Sequence, residues 1–220
     1  MEREALIQLI KEEKLIAIMR GVYGDDAVRT AEALVKGGIR LMEVPFDQSM
    51  GENQENTLNA IRRITSELGA DVHAGAGTVM TPDQVQWASD AGSEYMITPN
   101  MDPDVIHKTR ELGRVMISGA LTPSEIADAW KYGSDFVKVF PAGSMGGSYI
   151  KAVRAPLKHI PLMAVGGVDE NNLQEFLQAR VSGFGIGGNL VNRDWIEACE
   201  FEKLTALAKL YRERLEEALN

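Results

Sequence analysis

Apolar and polar residues along the chain fall into short runs with two different periods. Runs rich in β-favouring apolar residues occupy 15–20, 41–46, 72–79, 95–99, 115–121, 136–140, 161–168 and 183–188. Most are continuous rather than alternating, as expected for strands covered on both faces in a parallel sheet. Between them, helical periodicity marks 26–36, 56–68, 82–91, 103–112, 123–132, 147–157 and 170–179, with an amphipathic helix at the N-terminus and a last helix over 201–219.

Local signals agree with that division. Thr81-Pro82, Asp102-Pro103 and Thr122-Pro123 each place a capping residue before a proline at the first helical position. Gly37-Gly38, Gly69, Gly92, Gly113 and Gly133 stand where helices stop. Strand centres are about twenty to thirty residues apart, the length of one minimal βα unit, and no gap leaves space for a second domain. The pattern predicts one (β/α)8 TIM barrel over 1–220, with an open doubly wound sheet as the alternative. The last helix covers the outside or an oligomer contact.

Composition changes this picture little, but it excludes some functions. A net charge of −9 without a basic run argues against nucleic acid, because a phosphate backbone is bound by clustered Lys and Arg. The acidic excess lies among basic residues at helical spacing, as on solvated helix faces. One cysteine, Cys199, has no partner for a disulfide and suits a reducing compartment. No apolar stretch reaches the eighteen or so residues of a membrane span, and the N-terminus lacks a signal-peptide core. The sequence reads as cytoplasmic, without a membrane partner.

In a barrel, chemistry gathers at the C-terminal ends of the strands. Lys138 interrupts the apolar run Phe136-Val137-Lys138-Val139-Phe140, where burial lowers an amine's pKa and exposes its lone pair for nucleophilic attack. The alternative is a lysine that snorkels or neutralises a buried carboxylate. Glu43 interrupts Leu41-Met42-Glu43-Val44-Pro45-Phe46 in the same way and reads either as a proton shuttle or as a partner in a buried ion pair. Arg20 closes the first strand with a guanidinium fork suited to a carboxylate or phosphate, or simply lies at the surface. Gly166-Gly167 and Gly187-Gly188 close strands seven and eight, where barrels commonly hold phosphate, and a short helix starting after Asn189 would add its dipole. Gly75-Ala76-Gly77-Thr78 exposes backbone and a hydroxyl, or marks tight packing.

These motifs, with Glu43-Val44-Pro45, Thr98-Pro99-Asn100, Lys138-Val139-Phe140-Pro141-Ala142 and Ala164-Val165-Gly166-Gly167-Val168, resemble the 2-keto-3-deoxy-6-phosphogluconate (KDPG) / 4-hydroxy-2-oxoglutarate (KHG) aldolases and their relatives acting on the phosphogalactonate epimer. The resemblance runs in order along nearly the whole chain. It implies a class I aldolase needing no cofactor or metal, with Lys138 as Schiff-base lysine and Glu43 as general acid and base. It places Arg20 and Thr78 at the carboxylate of a small 2-oxo acid, and Gly166, Gly167, Gly187 and Gly188 at a phosphate. Phe140 and Pro99 line the pocket, and Asn189 stands where the family has serine. It also implies a homotrimer.

Two features depart from the family pattern. Asp47 occupies the place of an arginine in the gluconate branch and of a small neutral polar residue in the galactonate branch, and the loop 48–56 is long and polar. A metal-dependent aldolase is the nearest rival, but His73, His107 and His159 lack ligand spacing. A phosphosugar isomerase, or a binding barrel without turnover, completes the alternatives.

Overall fold

A computed structural model describes residues 1–50 and 54–219. In chain order the elements are α1 (Arg3–Glu13), β1 (Leu15–Ile18), α2 (Gly24–Lys36), β2 (Leu41–Pro45), α3 (Glu55–Leu68), β3 (His73–Gly77), α4 (Pro82–Asp90), β4 (Tyr95–Ile97) and α5 (Pro103–Glu111). They continue with β5 (Val115–Ala120), α6 (Pro123–Tyr132), β6 (Phe136–Val139), α7 (Ala142–Arg154), β7 (Leu162–Val165), α8 (Leu173–Gln178), β8 (Gly183–Ile186), α9 (Arg193–Glu197) and α10 (Phe201–Leu219). All strand pairs are parallel and sequential, and β1 pairs with both β2 and β8, so the sheet closes into a barrel rather than remaining open. No helix among the described residues is long and apolar enough to cross a membrane.

The strand pleat divides the core in two. Successive side chains point to opposite faces, so Ala17, Met42, Ala74, Val137 and Ala164 pack outward against the helix ring. Ile16, Leu41, Tyr95, Ile97, Val115, Ile117, Phe136 and Met163 point inward and form a second cluster. Leu6 and Ile10, one helical turn apart on α1, are almost fully buried in that inner cluster and plug the N-terminal end of the barrel. Each contributes about 1.5–3 kcal/mol by leaving water. The bottom is thus filled, and the chemistry is confined to the top.

The expected proline-started helices form, with Thr81, Asp102 and Thr122 accepting hydrogen bonds from their own first turns. Several expected boundaries shift. The strands stop short of their apolar runs, because residues such as Arg20, Thr78, Pro99 and Phe140 continue the pattern beyond the strand ends and line the cavity. The α7 helix starts at Ala142 rather than at 147 and bends at Gly146, and the N–H of Gly147 donates to Glu175 Oε1 at 2.6 Å. Residues 169–172 form a turn in which Asp169 accepts from the N–H groups of Asn171 and Asn172, which delays α8 to Leu173. No helix begins directly after Asn189. The α9 helix starts at Arg193 behind its cap Asn192, so the expected dipole is not delivered at the glycine pair. Of the loop 48–56, residues 48–50 form a 3-10 turn, 51–53 lie outside the described residues, and α3 has begun by Glu55.

Candidate active site

The inward face that fills the bottom of the barrel also builds the site. Two residues on from an inward position lies the next inward position, so Phe136 leads to Lys138 and Leu41 leads to Glu43. Beyond the strand ends, Ile16 leads through Ile18 to Arg20, Tyr95 through Ile97 to Pro99, and Met163 through Val165 to Gly167. These groups converge on a cavity of about 450 Å³ at the C-terminal rim. Arg20, Glu43, Thr78, Pro99, Lys138, Phe140, Gly166, Gly167, Gly187, Gly188 and Asn189 all line it. Ile18, Val165, Val168, Gly185, Val191 and Arg193 complete the wall, and sequence reasoning had not singled them out.

Lys138 and Glu43 are 6% and 2% exposed, which makes them the two buried charge-bearing side chains of this cavity. They influence each other through space, yet no ion pair joins Lys138 or Arg20 to Glu43 among the described residues. The alternative of a charge-neutralising pair is therefore not what the described residues form, and both groups line the cavity. Burial pulls the Lys138 amine below the usual lysine range, with Glu43 opposing and Arg20 adding to the shift. Burial pushes the Glu43 carboxyl above the usual carboxylate range, against the pull of Lys138 and Arg20. Both shifts favour the neutral forms, an amine with a free lone pair and a protonated carboxyl. The Lys138 Nζ also lies 5.0 Å from the centre of the Phe140 ring, itself 41% exposed at the rim.

Packing explains the glycines of β3. A Cβ at Gly77 would fall 1.7 Å from Glu43 Oε1, and one at Gly75 would fall 2.1 Å from the Tyr95 ring. Glycine at 77 is therefore what lets the carboxyl lie flat against β3 and reach the cavity. Gly166 and Gly167 have φ of 85° and 74°, a left-handed conformation that side chains resist, and they turn the chain across the cavity wall. Asn189 does not project freely, because its Nδ2 donates to the Val168 carbonyl at 2.9 Å and ties the two glycine loops together.

Thr78 is held in an unusual state. Its φ is 52°, a conformation that costs a β-branched residue about 1–3 kcal/mol. Gln48 Nε2 donates to the Thr78 carbonyl at 2.6 Å, and the amides of Gln48 and Gln84 bond each other at 3.0 and 3.3 Å. Gln84 Oε1 also accepts from the Met80 N–H at 2.7 Å. Residues 78 and 80 are thus fixed by two glutamines that the sequence had not marked. Asp47 lies outside the main cavity, in a neighbouring one of about 410 Å³ at the mouth that shares Arg20, Thr78 and Arg193 with it. Its Oδ1 accepts from the Ser49 N–H at 3.0 Å and the Ser49 hydroxyl at 2.7 Å, which hold its carboxyl below the usual range and satisfy it locally.

The histidines take no part. His73 sits at the opposite end of the barrel with its Nδ1 2.8 Å from Glu94 Oε1, and His107 and His159 are exposed beside Tyr132 and Trp130. Three or more His, Cys, Asp or Glu side chains do not gather into a metal-holding group among the described residues.

A closed parallel barrel with a buried amine and a buried carboxyl on one rim cavity defines the class, a barrel enzyme of the aldolase type. The chain belongs to the KDPG and KHG aldolase family, whose sequence model matches residues 6–207, and it is accordingly a carbon–carbon lyase. It is 32% identical to a 2-dehydro-3-deoxy-6-phosphogalactonate aldolase of Escherichia coli over 92% of this chain and 96% of the other. It is 34% identical to a 2-dehydro-3-deoxy-phosphogluconate aldolase of Treponema pallidum over 93% of this chain and 94% of the other. Among solved structures, a KDPG aldolase from Legionella pneumophila, with pyruvate captured as a covalent carbinolamine intermediate, superimposes with a TM-score of 0.80 at 25% identity, over 89% of this chain and 92% of that one.

Proposed function

We propose that the chain is a class I aldolase cleaving a 2-keto-3-deoxy-6-phospho sugar acid to pyruvate and D-glyceraldehyde 3-phosphate, and also 4-hydroxy-2-oxoglutarate to pyruvate and glyoxylate. One observation carries the reading: an amine and a carboxyl, both buried and both displaced toward neutrality, open onto one cavity without pairing.

The neutral Lys138 amine attacks the C2 carbonyl to give a carbinolamine, which takes up a proton and loses water to form an iminium ion. That cation draws the C3–C4 bonding electrons onto nitrogen as the C4 hydroxyl gives its proton to Glu43, releasing the aldehyde and leaving an enamine. Protonation at C3 restores the iminium ion, and water returns pyruvate and the free amine. Arg20 and Thr78 hold the carboxylate. The N–H groups of the loops at Gly166, Gly167, Gly187 and Gly188 receive the phosphate, consistent with glycines that let backbone approach an anion closely.

A coupled assay for pyruvate release across both C4 epimers of the phosphorylated acid and 4-hydroxy-2-oxoglutarate tests this. Release is expected from at least one phosphorylated epimer, with kcat/KM above that for 4-hydroxy-2-oxoglutarate. Binding of all three without release would favour the barrel that binds and does not turn over.

A further inference from the structure

The charge inventory of the cavity leaves one end of the proposed substrate without a counterion. Among the described residues, four that line the cavity carry ionisable side chains: Arg20, Glu43, Lys138 and Arg193. Neither Glu43 nor a lysine that must attack as a free amine brings positive charge to the encounter. A 2-keto-3-deoxy-6-phospho acid brings a carboxylate at one end and a phosphate dianion at the other. Arg20 serves the carboxylate in the reading above, while the glycine loops offer N–H dipoles and no formal charge.

Arg193 fits the vacant role by position. It opens α9 directly behind the cap Asn192, on the segment that follows Gly187 and Gly188, and it borders both the main cavity and the mouth cavity. Its guanidinium lies over Gly21, with Nη1 3.4 Å from where a methyl group on that residue would be. It thus bridges the loops that follow β1 and β8. Its one ion pair among the described residues, to Glu197 Oε1 at 3.5 Å, joins side chains that are 64% and 68% exposed. Such an exposed pair is weak in water, and a phosphate offering two acceptor oxygens to the guanidinium fork replaces it favourably.

We propose that Arg193 is a specificity residue that clamps the terminal phosphate of the substrate beside the glycine N–H groups, so that the phosphorylated acid is preferred over its unphosphorylated counterpart. The proposal rests on the aldolase reading, and it deepens that reading by assigning the charge that selects the substrate class.

The test compares wild type with Arg193→Gln and Arg193→Lys in steady-state pyruvate release from the phosphorylated acid and from the same acid without phosphate. For Arg193→Gln the KM of the phosphorylated acid should rise about 10- to 100-fold, as expected when a charged hydrogen bond is lost, with kcat within about twofold. Arg193→Lys should fall between, and kcat/KM for the unphosphorylated acid should not change. An unchanged KM for the phosphorylated acid, or equal losses on both substrates, overturns the proposal.

Calorimetric binding of glycerol 3-phosphate separates this result from failure of the aldolase chemistry. It needs no turnover and should weaken by about tenfold or more in Arg193→Gln. Equal binding by both proteins overturns the clamp whatever the enzyme catalyses, whereas a clear loss upholds it even if pyruvate is never released.

Discussion

Gly77 and Glu43 illustrate how little freedom the site allows a single residue. A methyl group at 77 would overlap the carboxyl of Glu43, which is buried at the cavity wall. We expect Gly77→Ala to displace that carboxyl, at an overpacking cost of about 1–3 kcal/mol. Glu43→Gln keeps the shape and removes the proton exchange, so its kcat should fall about 10²- to 10⁴-fold with the melting temperature nearly unchanged. Steady-state kinetics beside thermal melts check the pair, and wild-type kcat in Glu43→Gln would remove Glu43 from its role. Lys138 and Glu43 were legible in the sequence because a charge inside an apolar β-run stands out against its neighbours. Arg193 was not. It begins Arg193-Asp194-Trp195-Ile196-Glu197, which reads as an ordinary solvated helix turn, and only the closure of β8 against β1 brings it to the rim.

Among the elements, the loop after β3 depends on two others for its shape. Gln84 from α4 and Gln48 from the 3-10 turn after β2 clasp each other across Thr78. Gln84→Ala should leave the Met80 N–H without its acceptor and free Gln48, at a cost of about 1–3 kcal/mol. In a chain of this size that lowers the melting temperature by about 2–12 °C. If Thr78 holds the substrate carboxylate, KM should rise several-fold as well, whereas unchanged melting and unchanged KM would show that the clasp holds nothing. The role of Gln84 was hidden because Thr81-Pro82-Asp83-Gln84 already looks like a complete helix start, with a capping threonine and glutamine at the third position. The strand ends were overestimated for a related reason. Apolar and small residues that line the cavity, such as Pro99 and Phe140, continue past the strand ends, and hydropathy does not separate a cavity wall from a strand.

At the scale of the whole molecule, the fold separates stability from chemistry along the barrel axis. The lower interior is filled by Tyr95, Phe136, Met163 and the α1 plug, while glycines and the Lys138–Glu43 layer hollow out the top. The eight-unit barrel was legible in the chain because repeated βα spacing leaves few other closures, but the inner alternation that ranks Lys138 above Phe136 emerges only once the faces are assigned. The molecule carries a net charge of −9, so its general field opposes an anionic substrate, and the attraction proposed for Arg20 and Arg193 is local. Everything proposed for turnover depends on the Lys138 amine being reactive below the ordinary lysine range. Reduction with borohydride in the presence of pyruvate, followed by peptide mass mapping across a pH series, measures that directly. The expected result is a reduced pyruvyl adduct on the Lys138 peptide alone, absent in Lys138→Ala, with a yield that falls on acidification only below pH 10.5, the ordinary lysine value. No adduct, or an adduct on another lysine with Lys138 unmodified, would contradict the account.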